Sequence, residues 1–325
     1  MPERILLEVR DLKKYFEVKR KGKKKILKAV DGVSFSLRRG EILSLVGESG
    51  SGKTTVGRLV TRLYMPTSGK IIFDGIDITY MTEKQLRPLR RRFQMIFQDP
   101  YASLNPRMKI GRAIAEPLVV HGIMDWEKAR KRALELLERV GLTPARDFYE
   151  RLPSQLSGGQ RQRAVIARAI ALEPELIVAD EAVSMVDVSM RASILELLNQ
   201  LRREMNTAII FITHDLAVAK LISDRIAVMY VGKIVEEGPT DEVLSNPRHP
   251  YTRALITSVP SIKRKIRKRF PIIGDIADPT NIPPGCRYHP RCPIAKQACK
   301  GKEPVLREIA PGHKVACHYP IDEDL

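Results

Sequence analysis

Short, almost wholly apolar runs alternate along this chain with longer stretches whose apolar positions recur every three or four residues. Ile42-Leu43-Ser44-Leu45-Val46, Phe93-Gln94-Met95-Ile96-Phe97, Leu176-Ile177-Val178-Ala179 and Ala208-Ile209-Ile210-Phe211-Ile212 have strand length. Each is apolar toward both faces, the pattern of a strand covered by helices on either side. Helical spacing marks residues 55–63, 163–170 and 191–205. It also marks an insertion over 110–140, where Ala129, Ala133, Leu136, Leu137 and Val140 line one face before Gly141. Asp74-Gly75 between 70–73 and 76–78 predicts a hairpin, as does Val231-Gly232 between 226–230 and 233–237. Near the N-terminus the pattern predicts strands at 6–12 and 33–37, with a basic loop over 19–25 between them and Tyr15 and Phe16 at the end of the first strand. Strands alternating with helices indicate an α/β fold with a largely parallel sheet.

Ligands of such sheets gather at the carboxyl ends of the strands. Val46, Gln98, Asp180 and His214 all fall at or just past predicted strand ends. After the first of these strands comes Gly47-Glu48-Ser49-Gly50-Ser51-Gly52-Lys53-Thr54, which fits the phosphate-binding pattern G-x-x-x-x-G-K-[ST]. Its glycines let backbone N–H groups turn inward onto phosphate oxygens, and the following helix adds its positive dipole end. Lys53 reaches the outer phosphates and the Thr54 hydroxyl binds Mg²⁺. Asp180 and Glu181 end an apolar strand, where carboxylates are costly unless they serve a cation or a substrate. Asp180 suits indirect Mg²⁺ binding, and Glu181 can polarise an attacking water. The Gln98 amide can contact Mg²⁺ and that water, and His214 can hydrogen-bond the γ-phosphate. Ser157-Gly158-Gly159-Gln160 opens a helix and forms a second anion site. One nucleotide rarely needs two cradles, so two copies facing head to tail are expected, each closing over the other's loop.

Composition widens the question before it narrows it. The 325 residues suffice for about two domains. The net charge is +18, with basic runs at 19–28, 87–92 and 263–269. That charge suits nucleic acid, an anionic membrane surface, or a merely solvated exterior. Few aromatics interleave with these runs, which speaks against a base-stacking platform. No apolar run has membrane-spanning length and the first residues lack a signal-peptide pattern, so a cytoplasmic location is expected. The stretch after about residue 246 is rich in Pro, Lys and Arg and reads as loops. It holds all four cysteines, as Cys286-x5-Cys292-x6-Cys299-x17-Cys317. Clustered thiols in a reducing compartment suggest a metal site, either Zn²⁺ or an iron–sulfur cluster. The absence of paired C-x2-C knuckles favours [4Fe–4S] over Zn²⁺, with His289 and His318 as nearby further candidates.

Over about residues 5–245 the motifs, in their order, resemble those of ATP-binding-cassette (ABC) ATPases. The resemblance implies a P-loop NTPase, RecA-like core with an antiparallel β subdomain and a helical subdomain at about 100–172, all within an ATPase domain spanning 1–245. It implies that Phe16 stacks on adenine. It places the Walker A loop at Gly47, Ser49, Gly50, Ser51, Gly52, Lys53, Thr54 and Thr55, and the Q-loop glutamine at Gln98. Leu156 to Gln160 matches the family signature. Asp180 becomes the Walker B aspartate, Glu181 the catalytic base, Asp187 the D-loop aspartate and His214 the switch histidine. One departure is Ala182 after Asp180-Glu181, followed by Ser184-Met185-Val186-Asp187, where the family commonly has Pro and then Ser-Ala-Leu-Asp.

Leu27-Lys28-Ala29-Val30-Asp31-Gly32-Val33-Ser34-Phe35, Phe97-Gln98-Asp99-Pro100-Tyr101-Ala102-Ser103-Leu104-Asn105-Pro106 and His249-Pro250-Tyr251-Thr252 narrow the resemblance to the dipeptide/oligopeptide (nickel/oligosaccharide) importer family, F-type ATPase. The narrower resemblance implies an ATP- and Mg²⁺-dependent subunit at the cytoplasmic face of the cell membrane. Its implied partners are a D-type ATPase, two transmembrane permease subunits and an extracytoplasmic solute-binding protein. Residues 246–325 are similar to the family's C-terminal extension, which holds a cluster in some members. Some members import oligosaccharides. The remaining alternative is a cassette ATPase acting on nucleic acid, but the stretch between Gly52 and Gln160 lacks sustained heptads and the chain has one cassette.

Overall fold

In the computed structural model, which describes residues 4–20, 22–258 and 274–321, the N-terminal segment is one long antiparallel hairpin. Strand β1 (Ile5–Arg20) pairs with β2 (Lys23–Arg38) from Ile5 opposite Arg38 to Arg20 opposite Lys23. The expected basic loop is therefore the hairpin's far end, where Lys19 faces Lys24, and Tyr15 and Phe16 lie within β1. Register shifts between Val9 and Leu12 and between Lys14 and Tyr15 break the two-residue alternation, which hid the strand's true length. Gly22, at φ 75, supplies the left-handed turn residue.

From there the chain runs through β3 (Ile42–Val46), α1 (Lys53–Val60), β4 (Ser68–Phe73) and β5 (Ile76–Asp77). Next come α2 (Glu83–Leu86), β6 (Phe93–Ile96), α3 (Pro100–Ser103), α4 (Ile110–Val120), α5 (Trp126–Arg139) and α6 (Ala145–Glu150). After them come α7 (Gly158–Ile170), β7 (Leu176–Asp180), α8 (Val188–Met205) and β8 (Ala208–Thr213). The last elements are α9 (Leu216–Ile222), β9 (Arg225–Tyr230), β10 (Lys233–Pro239), α10 (Thr240–Ser245), α11 (Pro250–Ser258), α12 (Ala298–Gly301), β11 (Arg307–Ala310) and β12 (His313–Val315). Met1–Arg38, Ile42–Tyr80 and Phe211–Leu325 group into one unit, and Arg39–Glu41 with Met81–Ile210 into another. Among the described residues no helix is long and apolar enough to cross a membrane. The basic run at 263–269 lies outside the described residues.

The first unit holds an antiparallel sheet in the order β2-β1-β4-β5 and a row of strands in the order β11-β12-β10-β9-β3. Strand β3 runs parallel to β9, and all five of its residues are buried, as its apolar run requires. Asp74 and Gly75 both take positive φ, 50 and 80, forming the predicted hairpin turn. The late segment is less loop-like than expected, because β12 pairs with β10 through Glu236 opposite Val315. Strands of three and four residues offer too few alternations to be seen in sequence.

In the second unit β6 and β7 run parallel, from Phe93 opposite Leu176 to Ile96 opposite Ala179, and β7 is buried throughout. The helical insertion forms as α4 and α5. Asp125 caps α5 by accepting from the Lys128 N–H at 2.9 Å, and Gly141 at φ 73 ends it.

Glu236 fastens the late segment to β10. It is fully buried and accepts from the backbone N–H groups of Arg248 (2.7 Å) and His249 (2.9 Å) and from His313 Nε2 (2.7 Å). Burial holds the neighbouring His249 neutral, with its pKa lowered to about 3. Replacing Glu236→Ala leaves three buried donors without their acceptor, so urea unfolding should show a loss of about 3 kcal/mol. An unchanged midpoint would remove Glu236 from this role.

Candidate functional site

The phosphate loop lies in the first unit, between β3 and α1. Its geometry depends on glycine at three places. Gly47, Gly50 and Gly52 have φ of 149, 82 and 102, and a Cβ on Gly52 would lie 2.2 Å from the Ala29 carbonyl oxygen. Gly47 is as confined, at 2.3 Å from the Met229 carbonyl oxygen. Lys53, only 5% exposed, donates from Nζ to the carbonyl oxygens of Gly47 (2.8 Å) and Glu48 (2.9 Å). The Ser51 N–H donates to the Glu48 carbonyl oxygen at 3.2 Å, which folds the loop on itself. Ser49 and Gly50 are exposed at its crest, while Thr54 and Thr55 sit half-buried in the first turn of α1.

Two further candidates belong to this unit. Phe16 is half-buried, with its ring edge-on to Tyr64 at 5.7 Å and the Lys14 ammonium 4.9 Å from its centroid. Beside it the Tyr15 hydroxyl donates to Asp31, and burial together with that carboxylate pushes the phenol up to about 12. His214 is exposed directly after β8, and Asp215 next to it caps α9 by accepting from the N–H groups of Ala217 and Val218.

The other candidates lie in the second unit. Asp180 is the last residue of β7 and is 2% exposed. Glu181 follows at φ 47, a region that non-glycine residues rarely occupy, and its carbonyl oxygen accepts from the Ser184 N–H at 3.0 Å. Gln98, two residues past β6, donates from Nε2 to Glu181 Oε2 at 2.8 Å. The fold thus joins two of the predicted residues directly. Ser157 and Gln160 form a reciprocal cap on α7. The Ser157 hydroxyl accepts the Gln160 N–H (3.3 Å) and the Gln160 side chain accepts the Ser157 N–H (3.0 Å). Gly158 and Gly159 open that helix, and a Cβ on Gly159 would meet the Met190 side chain at 2.8 Å. Asp187 is exposed just before α8.

Sequence reasoning missed Arg161. Its buried guanidinium donates to the Pro153 (2.7 Å) and Leu156 (2.9 Å) carbonyl oxygens and lies 3.4 Å from the Tyr101 ring centroid, fixing the segment that leads into Ser157. A charge inside an amphipathic helix carries no signal of that kind. Part of the basic run at 87–92 is likewise used internally, since Arg90 pairs with Glu83 at 2.8 Å and Arg92 with Glu175.

Cys286, Cys292 and Cys317 are half-buried and Cys299 is buried. The Cys286 N–H donates to the Cys299 carbonyl oxygen at 2.8 Å. Burial first, and then repulsion between the thiolates, pushes Cys292 up to about 11 and Cys317 up to about 12. Cys286 and Cys292 pack against the same buried core cluster. Among the described residues, however, no group of three or more His, Cys, Asp or Glu side chains stands at metal-holding spacing. His289 Nδ1 is hydrogen-bonded to the Cys286 carbonyl oxygen and His318 Nε2 to that of Lys302, both at 2.8 Å.

Residues 30–184 match the family described as "ABC transporter", and residues 235–299 match "Oligopeptide/dipeptide transporter, C-terminal region". The chain is 49% identical over 324 residues to the oligopeptide transport ATP-binding protein AppF of Bacillus subtilis, covering 97% of this chain and 98% of that one. It is 47% identical over 318 residues to a putative peptide import ATP-binding protein of Brucella ovis, covering 98% of each. Among solved structures it is similar to a dimeric ATP-binding cassette in a post-hydrolysis state bound to ADP and Pi, with a TM-score of 0.66 and 31% identity over 72% of this chain and 99% of that one. A cassette from Clostridium perfringens, part of an ABC transporter complex, gives a TM-score of 0.64 and 27% identity over 75% of this chain and 92% of that one.

The confinement of Gly52 yields a direct test of the loop. Gly52→Ala should weaken ATP binding by at least about tenfold (about 1.4 kcal/mol) in a fluorescent-nucleotide titration. Unaltered affinity would show that this loop does not hold the nucleotide.

Proposed function

This chain belongs to the ABC transporter ATPases, in the branch that carries the oligopeptide/dipeptide-transporter C-terminal region, and on that footing we propose that it is the ATP-hydrolysing subunit of a peptide importer. The observation that carries the reading is the match along nearly the whole chain, late segment included, to proteins called oligopeptide transport or peptide import ATP-binding proteins. Those names favour peptides over oligosaccharides as the solute, and transport over work on nucleic acid. ABC ATPases bind ATP with Mg²⁺, so both are expected here.

The candidate residues take roles consistent with their chemistry. The loop from Gly47 to Thr55 holds the phosphates through its N–H groups and Lys53, and Phe16 stacks on adenine. Thr54, Gln98 and, through water, Asp180 would hold Mg²⁺, which when bound neutralises developing phosphate charge. Glu181 takes the proton of a water whose oxygen bonds to the γ-phosphorus as the bond to the β–γ bridging oxygen breaks, leaving ADP and phosphate. The 2.8 Å contact from Gln98 supports this by aiming the Glu181 carboxylate. His214 hydrogen-bonds the γ-phosphate.

Ser157, Gly158, Gly159, Gln160 and Asp187 act on the nucleotide of a facing subunit. A D-type ATPase is that subunit, and the similarity to a dimeric cassette supports the pairing of two such chains. Two transmembrane permease subunits and an extracytoplasmic solute-binding protein complete the machine, with this chain peripheral at the cytoplasmic face. Its +18 charge suits anionic headgroups there. In this reading 1–245 is the ATPase domain, with a helical subdomain at about 100–172, and 246–325 is the extension. Cys286, Cys292, Cys299 and Cys317 fit a [4Fe–4S] cluster, or Zn²⁺, in donor type. A bound cation would reverse the upward push on the pKa values of Cys286, Cys292 and Cys317.

Two measurements check these assignments. Glu181→Gln should lower turnover by about 10²-fold or more while ATP still binds; hydrolysis at the wild-type rate would overturn the assignment of the base. Anaerobically purified protein should be brown and contain iron and sulfide, and Cys292→Ser should lose both. A colourless protein with stoichiometric zinc would replace the cluster with that metal.

A further inference from the structure

Two arginines next to the first two cysteines reach toward the phosphate loop, one touching it directly and the other through the backbone beside it. Arg291, immediately before Cys292, donates from Nη1 and Nη2 to the two carboxylate oxygens of Glu48, at 2.7 and 3.0 Å. The Arg291 side chain is only 5% exposed and that of Glu48 26%. The Glu48 N–H donates to the Tyr251 hydroxyl at 2.9 Å. Tyr251 in turn packs with Tyr230 and Tyr288, ring centroids 4.7 to 5.3 Å apart, in a fully buried aromatic group.

Arg287, immediately after Cys286, acts one step further back. It donates to the Val231 carbonyl oxygen at 2.6 Å and to the Asp31 carboxylate. The Asp31 N–H donates to the Gly232 carbonyl oxygen (2.9 Å), and the Gly232 N–H donates to the Ser51 carbonyl oxygen (2.8 Å). Tyr15, beside Phe16, donates to the same Asp31 carboxylate.

A loop with three glycines has much conformational freedom to lose when phosphate binds. A planar, two-pronged Arg–carboxylate pair whose arginine side chain is shielded from water restricts that freedom beforehand. We propose that the cysteine-bearing segment braces the phosphate loop, with Arg291 and Arg287 as positioning residues that preset the loop for the nucleotide and tie nucleotide affinity to the state of the segment. This rests on the reading of Gly47 to Thr55 as the ATP site. Because coupling is reciprocal, nucleotide also tightens the segment.

The test titrates fluorescent ATP and measures kcat, KM and melting temperature for the full chain, Arg291→Ala, Glu48→Ala and the double variant. Each single change should raise Kd and KM about fivefold or more, with the kcat of Arg291→Ala held within about twofold. The double variant should be no worse than the worse single one, because one interaction is then removed once. Arg291→Lys, which cannot form the two-pronged pair, should fall between Arg291→Ala and wild type. Glu48→Gln keeps the side-chain shape and gives the same reading if Arg291→Ala fails to fold. Wild-type affinity in these variants, fully additive losses, or a fall in kcat at unchanged KM would overturn the brace. A wild-type chain that binds no nucleotide would instead sink the ATP-site reading.

Discussion

The ammonium of Lys53 is nearly out of solvent, and the chain around it is arranged to keep it there. Burying a charge is costly unless oxygen atoms surround it. The loop supplies them from its own backbone, through the carbonyl oxygens of Gly47 and Glu48. That arrangement needs positive φ at Gly47, Gly50 and Gly52 and backbone packed close on either side, from Met229 and Ala29. It also needs a rigid support in front of the loop, which the fully buried β3 provides, and a helix behind it, which is α1.

Much of this was legible because it is local. Apolar runs of strand length became β3, β7 and β8, each buried along its whole length. Asp74-Gly75 turned where its backbone preferences require, and the helix expected to open at Ser157 to Gln160 forms as α7. The N-terminal hairpin was misread because bulges shift its register, so period-two alternation fades after Val9. Strands β11 and β12 were too short to leave a period at all.

Contacts between distant residues were legible only in part. Gln98 and Glu181 were grouped because both lie just past strand ends, and the fold joins them in a hydrogen bond. Glu48 with Arg291 could not be found that way. Glu48 occupies a free position of the loop pattern, and Arg291 stands between cysteines that drew the interest to themselves. Pairing them requires the backbone course of the whole first unit. The four thiols show the reverse case: spacing suggested a metal site, and among the described residues no three or more His, Cys, Asp or Glu side chains stand at metal-holding spacing.

Two kinds of chemistry thus meet in one chain, a phosphate loop built from local signals and a late segment fastened to it by long-range contacts. In the proposed importer the first supplies energy and the permease turns it into movement of the solute. The most direct test is ATP hydrolysis by this chain in lipid vesicles with its facing ATPase, the permease subunits and the solute-binding protein. Hydrolysis should depend on the permease and rise when the binding protein carries a peptide. A rate indifferent to both would contradict the account.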